Sequence, residues 1–153
     1  MTKTHPISAQ TIFQALSMPF HLLTQHIKRL LTPSKQAVII VGVDYGSYQI
    51  HNAIKDGSKR YFTAFFIDEE PWTHRNYIDD AQLRYPVEWR ALCQNHQVAA
   101  VICTSTNDRN TLMEVKDRDS RELSTKVLVI SPAEIKQCRN IDRWLTRKID
   151  TAA

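Results

Sequence analysis

Ala37-Val-Ile-Ile-Val-Gly-Val-Asp-Tyr-Gly-Ser47 is the stretch that decides the fold. Its first five residues are a continuous, largely β-branched run, the composition of a strand buried on both faces of a parallel sheet. Gly42 and Gly46 then punctuate a turn, and a helical segment is expected from Ser47 to Lys55, closing near Gly57. A buried strand, a glycine turn and a helix in immediate succession is the opening unit of a βα alternation.

The pattern repeats outward from there. Tyr61-Phe-Thr-Ala-Phe-Phe-Ile67 reads as a second strand ending at Asp68-Glu-Glu-Pro71. A polar, irregular stretch follows, with a short strand before Tyr85-Pro86. Residues 88–96 read as a helix, and Val98-Ala-Ala-Val-Ile-Cys103 as the next buried strand, with Cys103 a small core residue. Asn107 or Asp108 is placed to cap a polar helix running to about Leu123. Lys126-Val-Leu-Val-Ile130 is a further strand, and Pro132 opens a last helical segment. Strands alternating with helices, without hairpin signals, predict an α/β fold, a Rossmann-like doubly wound parallel sheet. Right-handed crossovers then place a ligand crevice at the carboxyl ends of the strands.

Upstream, Ser8 is placed to cap a helix bearing Ile12, Phe13 and Leu16, and Pro19 interrupts it. Phe20, Leu23, Ile27, Leu30 and Leu31 continue at helical spacing, with Lys28 and Arg29 off that stripe. The expected organisation is therefore a helical arm and linker at 1–35 and a Rossmann-like nucleotide-binding domain at 36–150. The arm's stripe admits three readings: packing on the domain, a homodimer contact, or a membrane-surface helix with Lys28, Arg29 and Lys35 facing anionic lipid.

The bulk properties narrow the function classes. The 153 residues suffice for one domain, and 42% apolar with 24% charged residues excludes a disordered or fibrous chain. The formal charge of +4 suits phosphate-bearing ligands. The basic residues are scattered, however, with no interleaved basic and aromatic stretch, so no nucleic-acid partner is expected. Three cysteines without a C-x-x-C pair, and six histidines without ligand spacing, argue against a disulfide framework and a metal site. With no signal-peptide core and no apolar run of about twenty residues, the expected location is cytoplasmic, the arm being free to touch the inner face of a membrane.

The chemistry is expected at the first turn. Gly42 and Gly46 allow close backbone approach to a pyrophosphate, and the helix after them offers N–H groups and a positive dipole end. Asp68, about twenty residues on at the tip of the second strand, suits ribose hydroxyls. Two glycines stand where the full fingerprint has three, so Asp44 or another side chain sits where a phosphate approaches. A plain βα turn without a ligand is the competing reading.

Gly42 to Ser47, then Phe65-Phe-Ile-Asp-Glu-Glu-Pro71, Tyr85-Pro-Val87, His96-Gln-Val-Ala-Ala-Val-Ile-Cys103 and Ile141-Asp-Arg-Trp-Leu-Thr-Arg147 occur in one order. In that order the chain resembles a Rossmann-type module of bacterial polysaccharide biosynthesis. This is the CoA-binding-like domain that precedes the catalytic domain in nucleotide-sugar 4,6-dehydratases and epimerases. The resemblance implies that Gly42, Asp44, Tyr45, Gly46, Ser47, Asp68, Glu69, Thr104 and Ser105 surround a nucleotide: NAD(P), a nucleotide-sugar or a CoA-like molecule. It departs from the family in the thinned glycine turn, a missing glycine near Tyr85 and a short segment between Ser131 and Arg139.

The family's catalytic domain is not in this chain. No tyrosine has the lysine four residues later that short-chain dehydrogenases use for proton transfer. A G-x-S-x-G elbow and a P-loop are also absent. The leading expectation is thus a non-catalytic nucleotide-binding module. The rivals are an NAD(P)-dependent nucleotide-sugar dehydrogenase or epimerase, and an interaction role centred on the arm. A third is a regulatory nucleotide sensor of the potassium-channel type, which residues 101–110 loosely resemble. The stretch Thr73-His-Arg75 is read either as a loop closing over a ligand or as a solvated turn.

Overall fold

The computed structural model describes residues 34–70, 72–115 and 123–152. The arm's helices and apolar stripe lie outside them. Within them the chain forms six strands and five α-helices. They are β1 (Gln36–Val41), α1 (Tyr45–Gly57), β2 (Tyr61–Ile67), β3 (Tyr77–Ile78), β4 (Ala81–Arg84), α2 (Trp89–His96), β5 (Ala100–Cys103), α3 (Thr106–Glu114), β6 (Lys126–Val129), α4 (Pro132–Gln137) and α5 (Ile141–Thr151). One sheet holds all six strands in the order β3-β4-β2-β1-β5-β6. The pairings β1–β2, β1–β5, β2–β4 and β5–β6 are parallel. The α/β, doubly wound, Rossmann-like architecture read from the sequence is the one observed.

The alternation of side chains across the sheet builds two cores. Val38 and Ile40 of β1 face Ile50 and Ile54 of α1, Ile135 of α4, and Ile141 and Leu145 of α5. Ala37 and Ile39 face the other way, with Trp89, Leu92 and Cys93 of α2 and Leu112 of α3. A strand that must satisfy both layers can carry no polar position, which is why residues 37–41 are apolar throughout. Between Val38 and Ile39 the register against β2 slips by one residue. Ala64 and Phe65 therefore both contribute to the α2 side, and the alternation of β2 resets before Phe66.

Several local expectations are corrected. The sheet is not wholly parallel: β3 and β4 form an antiparallel hairpin whose two-residue turn is Asp79-Asp80. Asp79 adopts a left-handed φ of 51°, a conformation aspartate tolerates better than most residues. The turn is tied to α1 as well, since Asp79 Oδ2 accepts from Lys55 Nζ at 2.9 Å and lies 3.0 Å from His51 Nε2. Helix α1 begins at Tyr45 rather than Ser47, because Asp44 caps it. Ser105, not Asn107 or Asp108, caps α3, which ends at Glu114 well short of Leu123. The segment opened by Pro132 is not the last, since α5 follows it. Lys35, grouped above with lipid-facing cations, donates instead to the carbonyl of Ser58 at 3.2 Å.

Two joints fix the far layer. Asp142, in the first turn of α5, accepts from Ser58 Oγ and from the N–H groups of Lys59 (3.1 Å) and Arg60 (3.2 Å). Tyr61 Oη and Thr146 Oγ1 are 2.8 Å apart, joining the start of β2 to the same helix. Among the described residues no helix is long and apolar enough to cross a membrane.

Candidate functional site

The strand order reverses at β1. The crossover from β1 to β2 runs through α1 on one face, and the return from β4 to β5 runs through α2 on the other. Helices therefore diverge at the carboxyl ends of β1 and β5, and a crevice is left between them. A cleft of about 440 Å³ opens there, lined by Val41, Gly42, Ile67, Asp68, Glu69, Glu70, Pro86, Asn107, Asp108, Thr111 and Leu112. Its volume lies in the ordinary range for small-molecule sites.

Of the residues expected at the site, Gly42, Asp68 and Glu69 line this cleft. Gly42 has φ +88°, where a side chain is strained, and a Cβ there would also stand tight against Ser47 Oγ at 3.2 Å. Asp68 follows the last residue of β2, and its backbone N–H donates to the Arg84 carbonyl at 2.9 Å. Its Oδ2 accepts from Thr73 Oγ1 at 2.7 Å, while Oδ1 has no partner among the described residues. Thr73 belongs to the turn between Glu70 and Asn76, the stretch singled out as a candidate closing loop. His74 stacks on Tyr85 at 4.0 Å and lies 2.9 Å from Glu88 Oε2. Burial pushes the Glu88 carboxyl up, but bonds from the Tyr85 N–H and His74, with the Arg84 charge, outweigh it and hold it below the usual range.

Asp44, Tyr45, Gly46, Ser47, Thr104 and Ser105 lie outside the cleft lining. Asp44 Oδ1 accepts from the Ser47 N–H at 2.7 Å, so one of the donors expected to meet a phosphate is already taken. Ser47 is fully buried and donates its hydroxyl to the Val41 carbonyl at 3.1 Å. Tyr45 is 79% exposed. Gly46 has a packing reason of its own, since a Cβ would meet Pro132 Cγ at 3.0 Å and Asp44 Oδ1 at 3.3 Å. Thr104 Oγ1 and Ser105 Oγ both donate to Asp108 Oδ2, at 2.9 and 2.8 Å, which makes them part of the α3 cap.

Sequence reading missed Glu70, Pro86 and the α3 contribution of Asn107, Asp108, Thr111 and Leu112. The α3 residues had a signal: positions 107, 108 and 111 share one face of a helix entered straight from a strand end. With Asp68, Glu69, Glu70 and Asp108, the lining carries four carboxylates and no basic side chain. Such a surface accepts hydrogen bonds from hydroxyls or amines and repels phosphate. Among the described residues no group of acidic, histidine and cysteine side chains has a metal-binding arrangement.

Searches by sequence find no matching family profile and no matching curated protein. Solved structures of related outline do exist. The UDP-D-quinovosamine 4-dehydrogenase from Vibrio fischeri is 19% identical, over 75% of this chain and 87% of that one, with a TM-score of 0.49. The Rex-family repressor RSP is 12% identical over 92% of this chain and 74% of its own, with a TM-score of 0.47. RSP bound to β-NADH is likewise similar, over 83% of this chain and 65% of that one, at a TM-score of 0.47.

Proposed function

We propose that this chain is a non-catalytic binding module that takes the nucleoside half of a nucleotide-type ligand into the cleft between Gly42 and Asp68. The observation that carries the reading is Asp68. It is an acceptor at the carboxyl end of the strand beside β1, with one carboxylate oxygen lacking a partner among the described residues, across a cleft from a glycine that keeps the floor open. A ribose diol donates to such a carboxylate, and Asn107 and Thr111 supply polar contacts on the facing helix.

The carboxylates decide among nucleotides. Asp68, Glu69 and Glu70 stand together at the tip of β2. A phosphate on the ribose would meet them at close range, so NAD is favoured over NADP. Any pyrophosphate must lie toward α1, where it displaces the Asp44 carboxylate from the Ser47 N–H. A CoA-like ligand, whose ribose carries a phosphate, is disfavoured on the same ground as NADP. The polysaccharide-synthesis context rests on the ordered motifs from Gly42 to Arg147, and a UDP-sugar is the ligand that context favours.

Among the described residues, the cleft lining holds no tyrosine or lysine for the proton transfer that the enzymatic alternative would need. The test is calorimetric titration of NAD, NADP, a UDP-sugar and adenosine into the full chain. Saturable binding of NAD or the UDP-sugar, with NADP at least about tenfold weaker, supports the reading. NADP binding as tightly as NAD removes the assignment of the carboxylates.

A further inference from the structure

A second pocket, also of about 440 Å³, opens beside α5 and is lined by Arg60, Asp142, Arg143, Thr146, Arg147 and Asp150. It lies at the amino end of β2, whereas the cleft lies at the carboxyl end. The seven-residue strand between them spans about 20 Å, so the two sites are separate. Positions 143, 146, 147 and 150 follow one another at helical i, i+3, i+4 and i+7 spacing and so share one face of α5. The opposite stripe, Ile141 and Leu145, is buried and fixes that helix against the sheet. Arg60 is brought to the same pocket by the turn that Asp142 pins through the N–H groups of Lys59 and Arg60.

The charges there are not matched. Among the described residues none of Arg60, Arg143 and Arg147 has a carboxylate within ion-pair distance. Lys55, Arg84 and Lys148 each have one. Asp142 directs both carboxylate oxygens to Ser58 and to backbone N–H groups. Formally the lining carries three positive and two negative side chains, so positive charge is in excess by one. Arg60 lies over the Tyr61 ring, 5.9 Å from its centroid, and among the described residues none of the three guanidinium groups is in a salt bridge, so together they form a surface that a planar or tetrahedral oxyanion satisfies by forked hydrogen bonds. Thr146 lies on the same face, its hydroxyl bonded to Tyr61 Oη.

We propose that this pocket binds a small phosphate-bearing anion of the diphosphate class, held by Arg60, Arg143 and Arg147. A diphosphate engages several guanidinium forks at once, which a lone carboxylate does not. The three arginines form one cluster rather than a continuous basic track, which favours a small ligand over a nucleic-acid strand.

The test is isothermal titration of inorganic pyrophosphate into the full chain at near-physiological ionic strength. One-site saturable binding is expected, and the Arg143→Gln/Arg147→Gln variant should weaken it at least about tenfold. The Arg143→Lys/Arg147→Lys variant, which keeps the charge and loses the fork, should fall between the two. Lys136→Gln, which removes an exposed charge outside both pockets, should bind pyrophosphate as the parent does. Both arginines are exposed, so an unchanged melting temperature is expected to accompany the loss. Absence of saturable heat overturns the proposal, as does undiminished binding by the glutamine variant. Tighter binding of an oligoglutamate peptide or a single-stranded oligonucleotide than of pyrophosphate also overturns it, by reassigning the face to a macromolecule.

Discussion

Asp44 Oδ1 lies 2.7 Å from the backbone nitrogen of Ser47, so the chain's own carboxylate occupies the helix end where a phosphate would be bound. The bond is an ordinary N-cap, and it orders the first turn of α1. It also sets an internal competitor against any anionic ligand at that turn. Two variants separate the roles. Asp44→Ser keeps a capping hydroxyl and removes the charge; it should tighten binding of pyrophosphate-containing nucleotides several-fold while leaving the melting temperature within a few degrees. Asp44→Ala should lose about 1 kcal/mol of stability as well. Weaker nucleotide binding by Asp44→Ser, measured calorimetrically, would mean that Asp44 serves the ligand instead.

Thr73 and Asp68 present a related competition. The Thr73 hydroxyl lies 2.7 Å from both Asp68 Oδ2 and the Glu70 carbonyl oxygen and shares its one hydrogen between them; toward Asp68 it stands where a ribose hydroxyl would. Thr73→Val removes that donor with little change in shape. If the hydroxyl holds Asp68 in position, nucleoside affinity should fall about three- to tenfold, consistent with one lost hydrogen bond. A rise in affinity would identify Thr73 as a stand-in for the ligand.

Asp142 should contribute to the acid sensitivity of the fold. Burial pushes its carboxyl up, but the bonds from Ser58 and from the Lys59 and Arg60 N–H groups outweigh that and hold it below the usual carboxylate range. A group depressed on folding contributes its full stabilisation above the unfolded value, about 3.9. That contribution is lost as pH falls through the lower folded value. Thermal unfolding followed between pH 7 and pH 3 should show Asp142→Asn less stable than the parent at neutral pH, the difference narrowing below about pH 4. A difference that stays constant with pH would contradict this assignment.

The thiols give a check on the packing. Burial pushes Cys93 up to about 11 and Cys103 up to about 12, and both side chains are enclosed by the α2 side of the sheet. Cys138 is only partly buried. In the native protein a thiol reagent at pH 8 should modify Cys138 well ahead of the other two, and all three only after denaturation. Rapid modification of Cys103 would show that β5 is not in the interior.

How far the sequence anticipates the structure follows from the range of each interaction. Residues 37–41 and 61–67 have little choice, because apolar runs of that length and β-branching suit only a strand covered on both faces. The hairpin of β3 and β4 was not legible: Asp79-Asp80 is a weak turn signal, and the turn is held by Lys55 and His51 from a distant helix. The glycine turn was legible as a turn but not in its purpose. Gly46 answers to Pro132, far along the chain, and Gly42 to Ser47. Thr104 and Ser105 follow a strand end, as ligand-binding loops do, yet their hydroxyls are committed to Asp108. Asp68 was legible as the residue at the tip of β2, because that position is set locally.

The most direct test of the nucleoside site is a calorimetric titration of NAD into the full chain and its Asp68→Ala variant. The account predicts one-site binding by the parent and at least about a tenfold loss in the variant, as expected for removing a charged acceptor. Equal affinity in the two proteins, or no heat from NAD, the UDP-sugar and adenosine alike, would contradict a nucleoside site at Asp68.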